Sequence, residues 1–149
     1  MTTAFIADTA DHYDMLASLG IKPARVGKCG KYIGYRMLAI HHVSDAEATL
    51  LTVACPDAVT VKNYTPGEIL VAGLGTISPT FYVVEGWAGK RVIVRRLFSR
   101  DVSGTHVPDL TDERGRHAPV KATIEYYGVR SKNGVMTRWD GTPVSFDCL

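Results

Sequence analysis

Residues 81–97, FYVVEGWAGKRVIVRRL, decide the fold that the sequence predicts. Two runs rich in β-branched and aromatic side chains flank the glycine-containing segment 86–89. That arrangement is typical of a β-hairpin with a four-residue loop. In this register one face is apolar and is built from two cross-strand pairs, Phe81 with Val94 and Val83 with Val92.

The second half of this stretch and the residues that follow it carry four arginines, at Arg91, Arg95, Arg96 and Arg100. Alternation directs Arg91 and Arg95, together with Tyr82, to the half-polar face of the hairpin. Arg96 instead falls on the apolar face, where an unpaired guanidinium is costly to bury. The pattern therefore predicts that the strand ends, bulges or meets a carboxylate at Arg96.

The rest of the chain from residue 59 onward also has β character. The expected strands cover residues 59–63, 68–74, 121–131, 135–139 and 142–146. Asn133-Gly134 is a strong signal for a two-residue hairpin turn, and it places Gly128 opposite Trp139. Residues 99–119 are polar and have no clear period, which predicts a long loop.

The amino-terminal part has a helical signal. Asp8 or Thr9 can cap a helix over residues 9–19, and Gly20 can end it. Further on, Ser44 and Glu47 match the S-x-x-E capping box, which predicts a helix over residues 45–54. The same residues also suit a turn between two strands, and their partly β-branched composition slightly favours this hairpin.

Composition bounds the class of protein. The chain has 149 residues and is 46% hydrophobic and 21% charged, which excludes a wholly disordered chain. We expect one globular domain over residues 1–149 of the α+β class. It is β-rich, with an N-terminal helix and a twisted antiparallel sheet or partly open barrel built from hairpins. The amino terminus has no basic segment typical of a secretory signal, which predicts a cytoplasmic protein.

Catalytic and metal-binding motifs are scarce. The sequence contains no G-x-S-x-G motif, no cysteine in a catalytic signature and no phosphate-binding glycine loop. His41 and His42 are adjacent, and neighbours on a strand point to opposite faces, so a shared metal ion is not expected. Glu85 and Glu125 are expected as cross-strand partners of arginines, and Glu125 is a natural partner for Arg96. We therefore predict no catalytic residue, no metal and no cofactor.

The leading interpretation is a small cytoplasmic binding, inhibitory or assembly protein that acts without catalysis through a protein surface. Tryptophan and arginine are enriched at binding hot spots, and the hairpin supplies both. The expected partner-binding residues are Trp87, Arg91, Arg95, Arg96 and Tyr82. The expected partner is another protein or a second copy of the chain, because open strand edges also favour self-association. A short chain of this kind also suits an accessory protein of a virus or mobile element.

Two alternatives stay open. Basic side chains and aromatics on a sheet suit nucleic-acid binding, and the residues for it are Arg91, Arg95, Arg100, Arg130, Lys132 and Arg138. The net charge of only +2 weighs against this alternative. The other is an enzyme with a dispersed site built from His41, His42 and the segment 99–119.

Overall fold

The computed structural model describes residues 1–26, 37–73, 79–110 and 117–145. The chain divides into two compact units, unit 1 over Met1–Asn63 and unit 2 over Tyr64–Leu149. The predicted β-rich class with an N-terminal helix is confirmed. A single domain over the whole chain stays a prediction.

In the residues of unit 1 that the structure describes, one sheet is combined with two helices. In chain order its elements are β1 (Thr2–Ala7), α1 (Ala10–Ser18), β2 (Ala24–Val26), β3 (Met37–His41), α2 (Asp45–Ala54) and β4 (Thr60–Asn63). All neighbouring strands are antiparallel, in the order β2-β3-β1-β4. Across the described residues, the β-α-β-β-α-β order has the pattern of the split β-α-β arrangement, which hosts many unrelated functions.

Both described helices begin at a capping residue. The Thr9 hydroxyl accepts a hydrogen bond from the backbone N–H of His12 at 3.2 Å and caps α1, as predicted. Gly20 follows the helix with a φ of 73°, which glycine adopts without strain. Neither described helix is long and apolar enough to cross a membrane.

Residues 45–54 form a helix, so the slight preference for a hairpin is wrong. Both hydrogen bonds of the capping box between Ser44 and Glu47 are present. The hydroxyls of Thr49 and Thr52 donate to backbone carbonyls one turn earlier, at 2.9 and 2.8 Å. The helix also buries Leu51 completely. Local capping and burial therefore outweigh the β propensity of the threonines.

Unit 2 contains nine strands within the ranges described above. They are β5 (Ile69–Ala72), β6 (Thr80–Ala88), β7 (Arg91–Leu97), β8 (Ser99–Val102), β9 (Thr105–Pro108), β10 (Val120–Glu125), β11 (Gly128–Ser131), β12 (Gly134–Arg138) and β13 (Val144–Ser145). Six of them close into a barrel in the order β5-β6-β7-β10-β11-β12, and β12 pairs with β5. The barrel is thus closed rather than partly open. The remaining three form a small sheet in the order β13-β9-β8.

Apolar side chains that share one face of the sheet fill the barrel interior. They include Leu70, Tyr82, Val84, Val92, Val94, Ala122, Ile124, Val129 and Met136, all of which are buried. A closed sheet of about this size leaves room only for packed side chains. The alternate residues along each strand therefore face outward, and this outer face carries the candidate site.

The β6–β7 hairpin has a different register from the predicted one. Its turn consists of the two residues Gly89-Lys90, and Phe81 lies opposite Leu97 instead of Val94. Gly89 has a φ of 60°, which a tight hairpin turn requires, so the segment before it continues the strand. A β-bulge between Val84 and Gly86 absorbs the extra residue.

The segment 121–131 is not one strand, contrary to the prediction. It turns at Tyr126-Tyr127 and returns as β11. Gly128 permits this return, because its φ is 151° and a Cβ atom there would lie 2.5 Å from the Met136 carbonyl oxygen. The break in the strand therefore lies next to Gly128, a position where any side chain would collide with β12.

The following turn and the polar segment also differ from expectation. The β11–β12 turn is Lys132-Asn133 and not Asn133-Gly134, since Ser131 lies opposite Gly134. Trp139 packs edge-on against Phe81 at 5.8 Å rather than covering Gly128. Part of the predicted loop 99–119 is the β8–β9 hairpin, whose turn residues both have positive φ. Residues 111–116 of that segment, and the end of the strand expected at 142–146, lie outside the described residues.

Candidate functional site

A groove of about 530 Å³ crosses the outer face of the barrel over β7, β10 and β11. Its polar lining comes from Arg91, Lys121, Thr123, Arg130, Ser131 and Lys132. We refer to this surface as the basic groove. It joins residues of two hairpins that are far apart in the sequence, and the barrel brings them together through the pairing of β7 with β10.

Strand register sets the spacing of the basic side chains. Thr123 lies opposite Arg91 on β7 and opposite Arg130 on β11, so these three residues form one row on the outer face. Neighbouring strands are about 4.8 Å apart, which places the backbones of Arg91 and Arg130 roughly 10 Å apart. Lys121 lies two residues before Thr123 and therefore on the same face.

One cation of the groove is compensated by a buried carboxylate. Arg130 donates from Nε and Nη2 to Oε1 of Glu125, at 3.2 and 3.0 Å. The Glu125 side chain is only 1% exposed, while that of Arg130 is 51% exposed. This pairing satisfies a carboxylate that would otherwise be costly to bury. It also fixes the Arg130 guanidinium, whose residue lines the groove.

The other three cations of the groove have no such partner. Arg91, Lys121 and Lys132 are exposed. Across residues 1–26, 37–73, 79–110 and 117–145, none of the three lies in an ion pair with a carboxylate. Like charges gathered without counter-charges produce a positive potential that attracts anions from solution. The groove therefore has a net charge of about +3 at its lining, which is an electrostatic feature suited to an anionic ligand.

The residues expected to form a protein-binding surface do not share one face. Tyr82 is 4% exposed and lies inside the barrel. Trp87 is 47% exposed and lies opposite Val92, whereas Arg91 belongs to the other face of the same hairpin. Arg96 is exposed near the end of β7, so the cost of burying it is avoided without a carboxylate. Glu125, its expected partner, binds Arg130 instead.

Arg95 is occupied by contacts within the unit. Its guanidinium forms an ion pair with Glu85 through Nε, and Nη1 donates to the backbone oxygen of His117 at 2.7 Å. The hydrogen bond with Glu85 raises the pKa of Arg95. Arg95 therefore links β7 to the segment before β10, and its charge is balanced by a neighbour. The expectation that Glu85 pairs with an arginine is confirmed.

Three of the six residues expected for nucleic-acid binding meet in the basic groove, namely Arg91, Arg130 and Lys132. Arg138 lies elsewhere, 3.4 Å from Glu68 and over the Tyr64 ring at 5.0 Å. Arg100 lies on β8, in the small sheet.

Lys121 was missed by the sequence-based prediction. The sequence gives one signal for it. Ala122 and Ile124 are apolar and alternate with Lys121 and Thr123, which predicts that the latter two side chains face outward. The groove therefore contains one basic residue that the arginine-rich pattern did not indicate.

The histidines are distributed over both units. His41 ends β3 and His42 follows it with a φ of 54°, both in unit 1. In unit 2 the His117 ring packs against Phe98 at 4.7 Å. Within the part of the chain that the structure describes, no group of three or more His, Cys, Asp or Glu side chains is placed to hold a metal ion.

Comparison with protein-family models, curated proteins and solved structures finds no match to this chain. The topology of unit 1 alone does not indicate a function. A function therefore has to be argued from the charges and geometry of the basic groove.

Proposed function

We propose that the chain is a non-enzymatic binding module that binds nucleic acid through the basic groove. The observation that carries the proposal is the convergence of Arg91, Lys121 and Lys132, which have no carboxylate partner in the described ranges, beside Arg130. Phosphate groups attract such cations and release counterions on binding. The lining hydroxyls of Thr123 and Ser131 add neutral hydrogen-bonding groups for phosphate or sugar oxygens.

The spacing of the cations favours a ligand with several negative groups. Arg91 and Arg130 are two strands apart, at a backbone separation of roughly 10 Å. A single small anion satisfies only part of such a row, whereas consecutive phosphates can neutralise all of it. The nearly balanced charge of the whole chain is compatible with this proposal, because the excess is local and the groove concentrates it.

Binding to a labelled oligonucleotide, followed by fluorescence anisotropy at low salt, tests the proposal. The test variant carries Arg91→Gln, Lys121→Gln and Lys132→Gln. The matched control removes three exposed cations outside the groove, at Lys22, Arg96 and Arg100. We expect the groove variant to lose binding and the control to retain it. Equal losses in both variants, or no binding by the wild-type chain, would refute the proposal.

A second candidate function is contact with another protein or with a second copy of the chain. The observation that favours it is Trp87, which is 47% exposed although it lies in a paired strand. Light scattering at increasing protein concentration tests self-association. Under this candidate the molar mass rises with concentration, and Trp87→Ala abolishes the rise. A molar mass that stays constant in both proteins contradicts self-association. A cytoplasmic location stays a prediction under either function.

A further inference from the structure

We infer that the nucleic acid in the basic groove is single-stranded and that one of its bases stacks on Trp87. The inference rests on the proposed function and deepens it, because it names the form of the ligand and the residue that contacts a base. It starts from the exposed indole of Trp87, near the turn of the β6–β7 hairpin.

Trp87 and Arg91 are diagonal neighbours at the end of the β6–β7 hairpin. Trp87 lies opposite Val92, and the next pair toward the turn is Ala88 with Arg91. Alternation places the indole on the face opposite to that of Arg91, at the rim of the barrel. A ligand that follows the groove as far as Arg91 therefore has to cross only the hairpin backbone to reach the indole.

Two of the residues at the rim, between the groove and Trp87, are small. Ala88 has a single methyl group and Gly89 has no side chain, so no bulky side chain of these two residues separates the groove from Trp87. Lys90, the other turn residue, is exposed and extends the positive charge of the groove to the rim. A phosphate at Arg91 and a base at Trp87 can thus belong to adjacent parts of one extended strand.

Further aromatic side chains lie at the same end of the barrel. Because Thr123 lies opposite Arg91, continuation of β10 carries the Tyr126-Tyr127 turn to the end where Gly89-Lys90 lies. The two tyrosine rings pack edge-to-face at 5.0 Å. Aromatic groups beside a basic track are the arrangement on which unpaired bases stack.

The shape of the groove also favours a single strand. In a duplex the base faces are already stacked on one another, so none is available to an indole, whereas an extended strand offers every base face. The major groove of a duplex admits a helix or a two-stranded ribbon. The basic residues instead line a concave surface over three paired strands, where an extended strand can lie.

The test compares two strands with the same phosphates, an ordinary single-stranded oligonucleotide and an abasic one. Trp87→Leu is the main variant, since it keeps an apolar side chain, and Trp87→Phe retains an aromatic ring. Tyr13→Leu is the matched control, because Tyr13 is 43% exposed in unit 1. Loss of one stacked base is expected to weaken binding about 5- to 150-fold.

We expect Trp87→Leu to weaken binding of the ordinary strand within that range, Trp87→Phe to restore most of it, and Tyr13→Leu to have no effect. On the abasic strand, Trp87→Leu and the wild type should bind equally. In a Trp139→Phe background, where Trp87 is the single tryptophan, the ordinary strand should quench its fluorescence.

Equal affinity of the wild type for the ordinary and abasic strands would overturn the inference, as would duplex binding as tight as single-strand binding. If these results occur while the triple glutamine variant of the groove still loses binding, the proposed function stands and only the role of Trp87 fails. Absence of any binding by the wild type refutes both.

Discussion

Salt dependence gives the sharpest test of the charge count in the basic groove. Three of its cations lack a carboxylate partner in the described residues, while Arg130 is balanced by Glu125. Each phosphate neutralised on a single strand contributes about −0.7 to the slope of log Kobs against log salt concentration. Three such contacts predict a slope of about −2.1, which corresponds to a roughly 20-fold loss of affinity between 50 and 200 mM salt.

Replacing one of the three cations should change that slope by a fixed amount. Arg91→Gln is expected to reduce it from about −2.1 to about −1.4, because one counterion fewer is released. Anisotropy titrations of a labelled single strand at five or more salt concentrations measure both slopes. Arg100→Gln is the control, since Arg100 lies on the small sheet and its removal should leave the slope unchanged. An unchanged slope for Arg91→Gln would show that Arg91 does not contact a phosphate, and an equal reduction for Arg100→Gln would show that the phosphate contacts are not confined to the groove.

Three further predictions concern stability. Gly128→Ala should cost more stability in urea denaturation than Gly134→Ala, because both have positive φ but only Gly128 would place a Cβ atom 2.5 Å from the Met136 carbonyl. Equal losses would contradict the close approach. Ser44→Ala removes the cap of α2 and should lower the free energy of unfolding by about 0.5–2 kcal/mol; a loss near zero in urea denaturation would contradict the capping box. Burial raises the pKa of the Tyr64 hydroxyl above 10.0. The unfolded chain then releases this proton first, so stability should fall as pH rises above about 10, and less steeply in Tyr64→Phe. The same fall in both proteins, measured by denaturation on either side of that pH, would exclude Tyr64 as its source.

The existence of the hairpins could be predicted from the sequence, but their register could not. In the stretch 81–97 both Gly86 and Gly89 suit a turn, and the shorter loop is possible only because a bulge after Val84 absorbs one residue. Nothing local indicates that bulge. In the segment 121–131 the two tyrosines at the turn give a strand signal, and Gly128 alone hints at the break.

The capping box at Ser44, unlike the hairpin register, is a signal that local residues give in full. Its two hydrogen bonds involve residues only three positions apart, so the sequence alone indicates where α2 begins. The preference for a hairpin gave too much weight to β-branched threonines. Their hydroxyls donate to carbonyls one turn earlier, which the helix accommodates.

For the candidate site, the sequence predicts which side chains face outward, but it does not predict which strands come together to form the groove. Alternation correctly placed Arg91 on a half-polar face. That Arg91 meets Arg130 depends on the pairing of β7 with β10, which skips the β8–β9 hairpin. The sequence also does not show which arginine charges are compensated by a carboxylate. In the structure Glu85 compensates Arg95, and Glu125 compensates Arg130.

The closing pair of the barrel has a consequence for biosynthesis. Five of the six pairings join each barrel strand to the next barrel strand in the sequence. The sixth joins the first, β5, to the last, β12, where Leu70 lies opposite Arg138. While a ribosome is still translating unit 2, the free edge of Ile69–Ala72 has no partner and can pair with other chains. A chain truncated before residue 134 would therefore be prone to aggregation, even though β7, β10 and β11, the three strands of the groove, have already been made.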